Sequence, residues 1–197
     1  MPDFPHFARI TVYCGSADGI HADYYLAAFQ MGKTLAEHGI SLIYGAGKTG
    51  LMGALADGVL QSGGEVTGVI PGGLNTPQLA HAGLTHLEIL PTIQQRKARM
   101  SELANAFIAL PGGFGTFDEL FETLTWAQIG LHRKPVGLLN TRGYFDPLVS
   151  LIDHALKEGF IYPEHRHLIC QAELPEDLLM ALGRYESPDG LERWVNR

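Results

Sequence analysis

The chain has 197 residues, 46% of them apolar, with a formal net charge of −7 and two cysteines. That length suits one domain with a sizeable core, and that apolar share excludes a disordered chain. The acidic balance, without a Lys/Arg run, argues against nucleic acid or a membrane surface as partner, and two cysteines are too few for a disulfide framework.

The opening residues, MPDFPHFARI, lack the charged and apolar regions of a secretory leader, and residues 1–8 read as a loose N-terminal tail. No apolar run reaches the roughly 18–20 residues of a membrane span. The expectation is a cytoplasmic protein folded as a single domain over residues 1–197.

The first apolar run, RITVYCGS, breaks at Gly15 and Ser16, and its Cys14 reads as a small buried hydrophobe. Tyr25, Ala28, Phe29, Leu35 and Ala36 then recur at helical spacing. The second run, ISLIY, enters Gly45-Ala46-Gly47-Lys48-Thr49-Gly50, a G-x-G-x-x-G between a strand and a helix. A dinucleotide site would want a carboxylate about 20 positions on, but the chain there reads GVIPGG; a Walker A loop would want glycine where Leu42 stands. This motif reads first as a tight turn before the helix of Leu51, Leu55 and Val59, or a general phosphate or ribose contact through Gly45 and Gly47, with a dinucleotide site as the lesser alternative. The third run, EVTGVIPGG, ends at Gly72 and Gly73.

TIQQRKARMSELANAF follows as a helix with Thr92 as N-cap and Gln95 three residues on. Ile93, Met100 and Leu103 share one side, and Arg96 falls on or beside it, while Lys97 and Arg99 point elsewhere and look solvated. An arginine facing the interior needs a partner. It is a structural ion pair, a snorkelling side chain, or a guanidinium reaching a phosphate or an electron-rich leaving group.

The fourth run, AFIALPGGFG, carries the strongest signal. Gly112, Gly113 and Gly115, around Phe114, leave backbone amides uncovered, and a helix starting near Thr116 adds its own free N–H groups. Together they form an anion cradle for which phosphate is the usual guest. Thr116 and Glu119 also fit a capping box, so the residues alone leave Glu119 open between a cap and a catalytic carboxylate. The 116–131 helix is apolar over a wide arc. Phe117, Leu120, Phe121 and Leu124 can face a sheet, which leaves Trp126 and Ile129 displaced and suggests a homodimer. The fifth run, PVGLLNTRG, breaks at residues 140–143. His165 and His167 lack a carboxylate or cysteine cluster, so no metal site is expected.

Apolar strands alternating with helices indicate an α/β fold: a Rossmann-like, doubly wound parallel sheet with helices on both faces. All five breaks then lie at the carboxyl edge, where such sheets bind ligands.

PGGFGTFDEL and RKARM resemble the paired signatures of the LOG ("lonely guy") family, and VYCGSADG, LIYGAGKTGLMGALADG, GVIPGG, ETLTWAQIGLHRKPVGLLNTRGYFDPL and EGFI fall in family order over nearly the whole chain. The resemblance implies a nucleoside 5'-monophosphate phosphoribohydrolase that frees cytokinin bases from their ribotides, without metal or other cofactor. It also implies Arg96 and Glu119 as the catalytic pair, Gly113–Thr116 on the 5'-phosphate, Lys97 and Thr125 lining the substrate site, and a homodimer. Gln78 stands where the family often has glutamate, and GAGKTG and TIQQRK replace commoner segments, which leaves the choice of base open. Such sequences also carry the label "lysine decarboxylase", but nothing marks Lys33, Lys97, Lys134 or Lys157 as a Schiff-base lysine, and only Lys48 sits at a ligand edge. The competing readings are a broader hydrolase of AMP and a nucleotide-binding or sensing module without turnover.

Overall fold

The computed structural model describes residues 7–191. Seven strands form one sheet: β1 (Arg9–Tyr13), β2 (Ser41–Tyr44), β3 (Val66–Pro71), β4 (His86–Leu90), β5 (Ala106–Ala109), β6 (Val136–Leu139) and β7 (Ile169–Ala172). Their order is β4-β3-β2-β1-β5-β6-β7, and every pairing is parallel. The chain winds outward from β1 to one edge, returns to the other side of β1, and winds outward again. This is the doubly wound α/β fold, and its winding reverses between β1 and β5. Ligands of such sheets bind outside the strand carboxyl ends at that reversal.

The helices are α1 (Ala22–Glu37), α2 (Gly50–Gln61), α3 (Ile93–Leu103), α4 (Phe114–Gln128), α5 (Asp146–Lys157), α6 (Pro163–Arg166) and α7 (Pro175–Gly183). Alternation along the strands divides the interior into two cores. Ile10, Val12 and Cys14 of the β1 segment join Ala106, Ile108 and Leu110 under Leu35, Leu55 and Leu179 of α1, α2 and α7. Tyr13, Phe107 and Ala109 face the other way, with Met100 of α3, Leu120 of α4 and Phe145. Both faces of the sheet are thus buried, which is why the strands read as near-continuous apolar runs.

Two strands escape the run-and-break pattern. β4 is an edge strand with a half-polar sequence, HLEIL, on which Leu87 and Ile89 stay exposed. β7 is only partly buried along its length. Of the tail expected over residues 1–8, residues 1–6 lie outside the described residues. Phe7 packs against the first core, and the amide of Ala8 donates to Asn105 Oδ1.

Candidate active site

The β5–α4 connection sets the site. β5 ends at Ala109, and α4 begins at Phe114 with Gly113 as its N-cap. The helix therefore starts two residues before Thr116, which overturns the capping box. Thr116 lies inside the first turn, and its side chain rests on Gly112: a Cβ there would come within 2.1 Å of Thr116 Oγ1. No side chain caps this helix. Among the described residues, the backbone N–H groups of Gly112, Gly113, Phe114, Gly115 and Thr116 meet no protein acceptor. A Cβ at Gly113 or Gly115 would meet nothing within 4 Å. The orphan amides of a helix start, bared by glycines that protein packing does not demand, open onto a cavity.

Glu119, in the second turn of α4, points to α3. There Thr92 accepts from the Gln95 amide at 3.2 Å and starts the helix as expected. Arg96 lies one turn later and is 9% exposed, as is Glu119. Arg96 Nη1 donates to Glu119 Oε1, and its Nε donates to the Val69 carbonyl within β3 (3.1 Å). Nη2 has no protein acceptor among the described residues and lies against Gly45, where a Cβ would sit 2.0 Å from it. The first glycine motif thus makes room for the arginine of the second helix. Burial raises the Glu119 pKa above the ordinary carboxylate value, and the Arg96 guanidinium works in the opposite direction. Burial also pushes the Cys14 thiol up, as suits the small hydrophobe expected there.

The two groups face a cavity of about 740 Å³ at the sheet reversal. Gly15, Ser16, Gly45, Gly47, Gly112, Gly113, Phe114, Gly115, Thr116, Arg96 and Glu119 all line it, so eleven residues expected at a site converge. Their parts differ. The amide of Gly15 donates to Pro111 O (3.0 Å), and its carbonyl accepts from Leu51 and Met52. The Ser16 carbonyl accepts from Thr49. Gly47 leaves room for Met52. These loops pack on one another, and the amides of α4 remain free.

Gln78, Lys97 and Thr125 do not line the cavity of this chain. Gln78 is exposed, and Thr125 is an exposed residue donating to the Phe121 carbonyl one turn back (2.7 Å). Lys97 is not solvated as its helical position suggested: its side chain is 12% exposed and lies 3.0 Å from both Asp118 and Glu122 of α4. Burial opposes its charge, but those two carboxylates outweigh it and raise its pKa.

Sequence reasoning missed the apolar wall: Met52, Ile70, Leu74, Leu79 and Ile93, joined by Tyr24 and Tyr144. Tyr144 had a signal, since it directly follows the fifth glycine-bearing break at the carboxyl edge. None of the chain's five lysines lines the cavity; Lys48 instead reaches Pro77 O on the β3–β4 loop. Schiff-base chemistry has no residue to work with there. Among the described residues, no three His, Cys, Asp or Glu side chains gather as metal ligands, and no helix is long and apolar enough to cross a membrane.

Known proteins resemble this chain in sequence and in fold. A family described as "Possible lysine decarboxylase" matches residues 52–182. The cytokinin riboside 5'-monophosphate phosphoribohydrolase LOG of Oryza sativa subsp. japonica is 47% identical over 179 residues, 91% of this chain and 74% of that protein. The cytokinin riboside 5'-monophosphate phosphoribohydrolase LOG7 of Arabidopsis thaliana is 46% identical over 180 residues, 91% of this chain and 83% of its own length. Among solved structures, the molybdenum cofactor carrier protein of Chlamydomonas reinhardtii superposes with a TM-score of 0.69 at 22% identity, covering 91% of this chain and 98% of its own. The molybdenum cofactor binding protein of Rippkaea orientalis gives 0.68 at 20%, covering 89% and 94%. At those identities the two structures share the fold alone.

Proposed function

We propose that this chain, which belongs to the LOG family of cytokinin riboside 5'-monophosphate phosphoribohydrolases, hydrolyses the N-glycosidic bond of adenine-type nucleoside 5'-monophosphates to free base and ribose 5-phosphate. One observation carries the reading: five unpartnered backbone amides and a buried Arg96–Glu119 pair share one cavity. The amides of residues 112–116 take the 5'-phosphate, and the energy of that contact orients the sugar. Water attacks C1' as the C1'–N bond breaks through an oxocarbenium-like state, and the bond's electron pair leaves with the base. Glu119 stabilises the cationic sugar and accepts the proton of the attacking water. Arg96, whose Nη2 is uncommitted, stabilises the charge developing on the departing base, which takes a proton from solvent as it leaves while Glu119 returns the water's proton to solvent.

The base side of the cavity favours a base with an apolar N6 substituent over plain adenine. Leu74, Leu79 and Ile93 line it, yet each is between 41% and 49% exposed. Such a cluster on a cavity rim is what an alkyl tail covers. A second copy of the chain packs on α4 in this reading, because Phe121 stays 43% exposed and Trp126 and Ile129 are only partly buried. The cytoplasm fits two free cysteines, Cys14 and Cys170.

The test incubates the protein with isopentenyladenosine monophosphate, AMP and their unphosphorylated nucleosides, and quantifies free base by chromatography. Base from the monophosphates alone, fastest from the isopentenyl one, is the expected result. Nucleotide binding without base release would leave only a binding module.

A further inference from the structure

The β6–α5 connection reaches the phosphate loop that follows the neighbouring strand, β5. After β6 the chain turns through Arg142 and Gly143, both left-handed (φ 57° and 68°), and delivers Tyr144 beside the end of β5. Asn140 fixes this turn: its Oδ1 accepts from the Phe145 amide and its Nδ2 donates to Asp146, both at 2.7 Å. The Tyr144 ring is held edge-on by Tyr24 and Phe145, with centroids 6.1 and 5.1 Å away. Its hydroxyl donates to the Gly112 carbonyl at 2.5 Å, and its side chain lines the cavity.

That carbonyl belongs to the same peptide unit as the Gly113 N–H. In a trans peptide the two point in opposite directions, so holding one aims the other. Glycines on both sides give this unit wide rotational freedom, and the Tyr144 hydroxyl is the hydrogen-bond donor to its carbonyl among the described residues. We propose that Tyr144 is a positioning residue for the phosphate cradle: its hydroxyl sets the plane of the Gly112–Gly113 peptide and presents the amides that open α4 in one orientation before a ligand arrives. The inference rests on reading those amides as the phosphate site. In the Arg142–Asp23 ion pair (2.7 Å) and the Tyr24–Tyr144 contact, α1 braces the same connection from outside.

Tyr144→Phe removes one hydroxyl and keeps the ring. Inorganic phosphate and ribose 5-phosphate are titrated calorimetrically into wild type and variant, with melting temperature and hydrolysis of AMP and isopentenyladenosine monophosphate measured on the same preparations. The proposal expects both dissociation constants, and KM for the monophosphates, to rise about tenfold, the worth of one hydrogen bond. Melting temperature stays as it was. Unchanged phosphate affinity overturns the proposal, as does a loss of affinity matched by an equal loss for free adenine and a lowered melting temperature, which marks a purely structural tyrosine. Failure of either protein to bind phosphate overturns it too. If wild type releases no base but phosphate still binds more weakly to the variant, the positioning role stands and the hydrolase reading falls. If base is released and the variant matches wild type in KM and phosphate affinity, the hydrolase reading stands and the positioning role falls.

Discussion

Two helices start from glycine-rich turns at the same sheet edge, and the structure treats them in opposite ways. The start of α2, after Gly45–Gly50, is closed by the protein itself: Asp18 Oδ1 accepts from the Gly50 amide (3.0 Å), and the Gly15 carbonyl accepts from Leu51 and Met52. The start of α4, after Pro111–Gly113, has no protein acceptor. Both carry the orphan amides and positive dipole end that every helix start has. Only the second offers them to a ligand, and only the second has a buried carboxylate and guanidinium beside it. A glycine motif is therefore a statement about backbone space. What fills the space decides between architecture and binding.

The comparison breaks hardest at Glu119. Glu119→Gln keeps the shape and loses the charge, so kcat should fall on the order of 10²–10³-fold with ribose 5-phosphate affinity retained, as loss of one electrostatic group does elsewhere. Steady-state kinetics beside calorimetry reads both. Retained activity would remove the chemistry from the open end.

The next contrast sets glycine against glycine. Gly50 has φ +58°, and a Cβ there would sit 2.5 Å from the Ser16 carbonyl carbon, so Gly50→Ala should cost at least about 1–3 kcal/mol in denaturant unfolding. Gly115→Ala fills only empty space in a helix, so stability should hold or rise by about 0.5–1 kcal/mol while phosphate affinity falls. Equal effects of the two changes would erase the distinction between the two turns. Asp18→Ala removes the acceptor that closes α2 and should cost about 1 kcal/mol, as loss of a cap does, with KM unchanged.

The smallest effect is one of pH. Burial raises the Glu119 pKa, and the proposed chemistry needs the ionised form. Activity should therefore fall as pH drops through a value above the ordinary carboxylate, about 4.3. In the logarithmic pH profile of kcat, an acid limb at or below that value would place the controlling group elsewhere.

Much of this was legible in the chain. Alternating apolar runs and breaks gave the parallel sheet and its ligand edge, because strands buried on both faces leave that pattern. β4 left no such trace, since its edge position allows the polar residues of HLEIL. Arg96 showed itself as a charge on an apolar helix face. Glu119 did not resolve alone, since Thr116-Phe-Asp-Glu119 also spells a cap; only the helix start at Phe114 removed that reading. Lys97 misled for a related reason: helical position gives its direction, but its burial depends on Asp118 and Glu122 of another helix. The apolar wall and Tyr144 come from segments far apart in sequence, and spacing within one element carries no signal of such convergence.

The most direct measurement is a crystal structure of the Glu119→Gln protein with isopentenyladenosine monophosphate bound. The account predicts the phosphate oxygens within hydrogen-bonding distance of the amides of residues 112–116, with the base beside Arg96 and the wall of Leu74, Leu79 and Ile93. A phosphate seated at Gly47–Gly50, or a nucleotide bound outside the cavity, would contradict it.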